Sequence, residues 1–239
     1  MDVAADLSAD SLAAALPGRA VRTYPALLST EADALAWARS GAPAGALVVA
    51  DYQASPRGRA GLEWRVRPGG DLAFSLVLRP DLPAEREGWL YTVAASGLAD
   101  VAGEEATIQW PDEVRRGETR AAAVGIHVEL GPAGTDWAVV NVLFVGAGPP
   151  RGELLARLVR AIEERYRSPA ETVLSEYVPR CETISKRVRA RLVPLGPAGP
   201  QVTGKAVSSL ADGALVIETE AGRRVAVRPQ SLGLLDVEP

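Results

Sequence analysis

The segment with the most evident chemistry is DYQASPRGRAGLEW (51–64). Gly58 and Gly61 let a backbone turn tightly and approach a ligand closely. Arg57 and Arg59 offer planar, forked donors suited to a phosphate or a carboxylate. Trp64 closes the segment with a ring that can stack. Together these residue types make an anion clamp, although the same letters also suit a solvated arginine-rich loop with Trp64 tucked into a core. Asp112 and Glu113 are adjacent carboxylates able to hold a metal such as Mg²⁺. Counts remove other chemistry. One histidine, His127, and one cysteine, Cys181, leave no His/Cys zinc cluster and no intrachain disulfide. His127 reads as a half-exposed structural residue on the strand face opposite Val124, Ile126 and Val128, and a Cys181–His127 nucleophile pair is not expected. The only lysines are Lys186 and Lys205, so chemistry that needs a lysine is absent from residues 1–185.

The elements that must position these residues follow from periodicity. The chain has 239 residues, 47% apolar and 23% charged, enough for one large domain and a small one. A short helix fits 7–16 and a strand 19–27. Thr30 and Asp33 resemble a capping box, opening a helix that stops at Gly41. ALVVAD (46–51) and DLAFSLVLR (71–79) read as strands, with a long, functional or mobile loop between them. Residues 84–102 read as a helix and TIQW (107–110) as a strand. AAAVGIHVEL (121–130) and WAVVNVLFVG (137–146) flank GPAGTD as a hairpin. GELLARLVRAIEERYR (152–167) is an amphipathic helix with Leu154, Leu155, Leu158, Val159 and Ile162 as its stripe, and a second helix covers 169–179. From about residue 183 short strands and Gly/Pro/Asp turns predict a small β-barrel. The net charge of -4 argues against binding nucleic acid. No apolar run reaches the roughly 18 residues of a spanning helix, and MDVAADLSAD lacks a leader's basic region. A cytoplasmic protein is expected.

Five motifs in order resemble those of the biotin protein ligases, within the biotin/lipoate ligase superfamily. PRGRAGLEW (56–64) is similar to the family loop GRGRxGRxW. Ser29-Thr30-Glu31 stands where the family has STN. GGDLAFSLVLRP (69–80), QWPDE (109–113) and AAVGIHVEL (122–130) resemble the next three motifs. The resemblance covers about residues 19–236. It implies an α/β fold: a mixed, largely antiparallel sheet with helices on one side in residues 1–182, and a small SH3-like barrel in 183–239. It implies a reaction in which biotin attacks the α-phosphate of ATP, with Mg²⁺, and an acceptor-protein lysine then takes the biotinyl group. Arg57, Gly58, Arg59 and Gly61 match the loop that meets carboxylate and phosphate. Trp64 matches the aromatic at the adenine end, Gln53 a biotin-contacting glutamine, and Ser29 and Thr30 the hydroxyls at the ureido end. Trp110, Pro111 and Gly125 match the floor of the site. A homodimer is among the partners the resemblance implies. With about 18 residues before the first strand, the winged helix of regulatory members is not expected.

The departures shape the expected function. Pro56 replaces the loop's first glycine and Glu31 the STN asparagine. Asp112 and Glu113 replace Asn-Asp. Ala122 stands where the family has its lysine, and Leu143 and Phe144 bring bulk where it has a close backbone approach. Arg120, about 6.5–7 Å further along a regular strand, is the candidate substitute for the lysine. The expectation is a biotin-protein-ligase-like protein impaired for biotinylation that binds a small ligand or a partner. The alternatives are an active ligase for biotin or a related acid with a remodelled site, and an interaction protein using its sheet surface. Biotin, ATP and Mg²⁺ are expected only if ligase activity is retained.

Overall fold

The computed structural model describes residues 2–148, 150–196 and 198–238; the outer ends of the two expected units, Met1 and Pro239, lie outside them, as do Pro149 and Pro197. Strands β1 (Val21–Leu27), β2 (Leu47–Gln53), β3 (Leu72–Leu78), β4 (Ala106–Gln109), β5 (Glu113–Arg116), β6 (Thr119–Gly131) and β7 (Gly134–Phe144) form one sheet. Its order is β1-β2-β3-β7-β6-β5-β4. Among the described residues β1 and β2 are the two strands that pair in parallel. A parallel pair needs a crossover, and helix α2 (Thr30–Arg39), which follows α1 (Ala9–Ala15), supplies it. A second, antiparallel sheet holds β8 (Arg187–Leu192), β9 (Gln201–Ser209), β10 (Leu215–Glu218), β11 (Arg224–Val227) and β12 (Leu232–Val237).

Strand alternation divides the larger sheet into two faces. Phe74, Leu76, Val124, Val140 and Val142 point to one of them. There they pack on α3 (Trp89–Ala102) and on Leu155, Leu158, Val159 and Ile162 of α4 (Arg151–Arg167), with α5 (Ala170–Arg180) beyond. Ala34 and Ala38 of α2 pack on the opposite face, against Val48, Val77, Trp137 and Val139. The helices α1, α3 and α4 therefore share one side, while α2 crosses to the other and carries Ser29, Thr30 and Glu31 with it. Among the described residues no helix is long and apolar enough to cross a membrane.

Some expectations need correction. The helix expected over 84–102 begins at Trp89, after a 3₁₀ turn at Ala84–Arg86. Strands run into GPAGTD, and β6 and β7 leave only Pro132 and Ala133 as the turn. Strand β5 was not foreseen, because Val114 is its only buried residue and gives no periodic signal. Phe144 does not thicken the cleft wall: it lies in the helix-side core, while its neighbour Leu143 faces the loop.

Candidate functional site

The 51–64 segment folds down onto the sheet face that carries α2. The Gly58 amide donates to Leu62 O at 2.8 Å and the Trp64 amide to Pro56 O at 3.1 Å, which closes a tight turn. Ala60 and Gly61 take positive φ, 53° and 74°, at its tip. A Cβ on Gly125 would sit 2.9 Å from Gly58 Cα and 3.1 Å from the Arg59 amide nitrogen. Backbone lies directly on backbone here, and only glycine fits. Trp64 covers the turn from the other side, buried with Ala73, Ala123 and Leu143. Arg57 braces the turn itself, donating to Ser55 Oγ at 3.2 Å and to Gly61 O at 3.1 Å.

Arg59 leaves this turn for the C-terminal sheet. Its Nη1 donates to Leu232 O at 2.5 Å, and its Nε stands 3.2 Å from Asp112 Oδ2. That Nε is buried, and its contact with Asp112 is an ion pair rather than a well-aligned hydrogen bond. Burial pushes the Asp112 carboxyl above its ordinary pKa, and the charge of Arg59 pulls the other way. Arg59, Tyr91, His127, Gln230 and Leu232 line a cleft of about 210 Å³ between the two sheets. The Ile126 amide, on β6 beyond the end of its pairing with β5, donates to Tyr91 Oη at 3.3 Å.

A polar ladder crosses the same sheet face. Gln53 Oε1 accepts from the Thr30 amide at 2.8 Å and from Thr30 Oγ1 at 3.2 Å. Ser75 Oγ sits 2.9 Å from Thr30 Oγ1 and donates to Asn141 Oδ1 at 2.7 Å. Ser29 caps α2 by accepting from the Glu31 amide at 3.2 Å. The Glu31 side chain faces Asn141 and His127; its burial raises the carboxyl pKa, which those two neighbours partly offset. His127 stacks on Trp137 at 5.8 Å between centroids.

No family model matches the chain. It is 31% identical over 225 residues to the biotin–[acetyl-CoA-carboxylase] ligase of Mycobacterium tuberculosis, covering 83% of each protein. The chain belongs to the biotin–protein ligase family. The bifunctional ligase/repressor BirA of Bacillus subtilis is 26% identical over 233 residues, 83% of this chain and 69% of BirA. The fold matches biotin protein ligase from Aquifex aeolicus in complex with biotin and ATP, with a TM-score of 0.70 at 20% identity over 92% of this chain and 99% of that one. It also matches a biotin protein ligase-like protein of unknown function from Silicibacter, with a TM-score of 0.66 at 15% identity over 90% and 96%.

The residues singled out in the sequence separate into groups. Thr30 and Gln53 meet each other, and Gly58 meets Gly125. Trp64 is packed into the turn rather than offered for stacking. Trp110 and Pro111 are buried, and the Trp110 indole donates to Gly213 O at 2.9 Å, tying the sheets together. Arg120 is exposed and forks onto Glu113 Oε2 at 3.0 and 2.7 Å. A bulge opposite Val114–Arg115 breaks the regular spacing between Arg120 and Ala122, and Ala122 is fully buried in the helix-side core. Arg120 is thus occupied and out of line with Ala122. Glu113 also accepts from Arg115 at 2.5 Å. With Asp112 against Arg59 and Glu113 between two arginines, this carboxylate pair does not fit a magnesium ion. No group of three His, Cys, Asp or Glu able to hold a metal occurs among the described residues.

Sequence reasoning passed over Ser75 as a site residue; His127, read as a half-exposed structural residue, lines the cleft. The available signal was a single polar residue at mid-strand in LAFSLVL and in WAVVNVLF, where Ser75 and Asn141 stand opposite each other.

Proposed function

We propose that this protein is an acyl-adenylate-forming ligase of the biotin class in which the Arg59 loop, not a lysine, handles the reacting anion. The ligand carboxylate attacks the α-phosphorus of ATP, the Pα–O bond to pyrophosphate breaks, and an acyl-adenylate forms. An acceptor lysine amine then attacks the acyl carbon and AMP leaves. Such chemistry depends on positioning and on donors aimed at developing negative charge. The observation that carries the reading is the seating of Gly58 on Gly125, which holds the buried Arg59 guanidinium, ion-paired with Asp112, at the cleft. The family relationship supplies the reaction class.

The test is pyrophosphate release from ATP in the presence of biotin, lipoate or octanoate. At least one acid should stimulate release, and Arg59→Ala should lower it by about 10²–10³. Release stimulated by none of these acids would remove the ligase reading. A second reading, binding of the acid or its adenylate without ligation, draws on Ala122 and on the occupied Arg120. It predicts a thermal shift with ligand, about 2.7 kcal/mol at 100 times the dissociation constant, and no pyrophosphate.

A further inference from the structure

His127 has a place in the cleft that the sequence does not announce. It follows Gly125 by two residues on β6, so both belong to the sheet face on which the Arg59 turn is seated. It lines the cleft together with Arg59, Glu87, Tyr91 and Gln230. Its ring stacks on Trp137 with 17° between the planes, and the Arg39 guanidinium lies over the same indole. Stacking holds an imidazole by its face and leaves both nitrogens at the edge. Among the described residues no hydrogen bond occupies either of them.

Other groups near the cleft are poorly placed to take up a proton. Burial pushes the Tyr91 phenol well above its ordinary pKa. Asp112 is paired with Arg59, and Glu113 is held between Arg115 and Arg120. Glu87 belongs to the part of the wall where Gly88 meets Pro229 and Gln230. The charged groups around the imidazole are Arg59 and Glu87 in the cleft, Glu129 on the same face of β6, and Glu31 and Arg39 from α2. An imidazole is the side chain suited to exchanging a proton near neutral pH.

We propose that His127 is the base of the second half-reaction and takes a proton from the acceptor lysine before that lysine attacks. This rests on the ligase reading above. A lysine enters as an ammonium, which has no lone pair. Beside Arg59, like charge and loss of water favour its neutral form. The ammonium gives one proton to the imidazole, which becomes imidazolium and later returns it to water. The amine lone pair forms the C–N bond. The C–O bond to the phosphate breaks, AMP leaves with that electron pair, and the second proton passes from nitrogen to water.

Two nucleophiles separate this step from adenylation. Nα-acetyl-lysine must lose a proton before it attacks. Hydroxylamine is already neutral at pH 7 and traps an acyl-adenylate as its hydroxamate. The full chain is given ATP with biotin, lipoate or octanoate. His127→Asn should form hydroxamate at the wild-type rate and lysine amide about 10²-fold or more slowly at pH 7. The deficit should shrink towards pH 9, where more of the lysine is neutral, and His127→Gln should behave alike. Equal loss of both products in both variants gives His127 a structural role and overturns the proposal. A wild-type amide rate no faster than the variants', or a deficit unchanged between pH 7 and pH 9, overturns it while the ligase reading stands. Hydroxamate from none of the three acids with wild type removes the ligase reading and this proposal together.

Discussion

The two faces of the seven-stranded sheet come from the same strands, and they are built on opposite principles. Alternate residues of β3, β6 and β7 give the helix side Phe74, Val124 and Val142, a continuous apolar layer. The residues between them give the loop side Ser75, Gly125, Asn141 and His127, with backbone packed on backbone and an amide left without a partner. One face is apolar along its length; the other joins an apolar patch under α2 to polar groups beneath the loop. A period of two residues is enough to separate stability from recognition on a single sheet.

Substitutions on each face should sharpen that contrast. Phe74→Ala, on the apolar side, should cost about 3–5 kcal/mol in urea unfolding. It should leave ligand preference unchanged wherever the variant is folded. Gly125→Ala, on the loop side, should cost about 1–3 kcal/mol, because the new Cβ meets the Gly58 and Arg59 backbone and pushes it off the sheet. Its larger effect should be on ligand binding, as the loop lifts. A Gly125→Ala protein that binds normally would show the close contact to be dispensable.

Glu31→Gln should go the other way and raise stability. Burial raises the folded-state pKa of Glu31, so the folded protein holds this proton more tightly than the unfolded chain. Stability therefore falls as pH rises from the unfolded value through the raised folded one. The gain in Tm from Gln should be present at pH 8 and gone by pH 4; a gain independent of pH would contradict the assignment. Arg120→Ala, on the exposed rim, should change stability by less than about 0.5 kcal/mol. It should also leave pyrophosphate release intact, because Arg120 is held by Glu113. Loss of release in this variant would restore Arg120 as the substitute for the missing lysine.

Much of this arrangement is readable from local sequence. Alternation in DLAFSLVLR and the hairpin around GPAGTD place the central strands, and the glycines of PRGRAG announce a close approach. The partners of that approach are another matter. Nothing local links Arg59 to Leu232, which is 173 residues away, or to Asp112. Glu113 is an acidic letter beside Asp112 in the sequence, and a metal pair was the natural reading. In space Glu113 is neutralised by Arg115 and Arg120, through a bulge that no periodicity predicts. Phe144 was assigned to the cleft because bulk is visible in a sequence while the face it occupies depends on strand register.

The sequence by itself determined the α/β class, the order of the central strands along the chain, the helix stripe of α4 and the clamp-like loop. These depend on short-range periodicity and on the backbone freedom of glycine. Tertiary structure alone decided which guanidinium reaches the cleft, which carboxylates are already neutralised, and that Gln53, Thr30, Ser75 and Asn141 meet in one polar ladder. Those outcomes depend on register, on a bulge and on contacts between residues far apart in the chain, and a charge has no settled role until its neighbours in space are fixed.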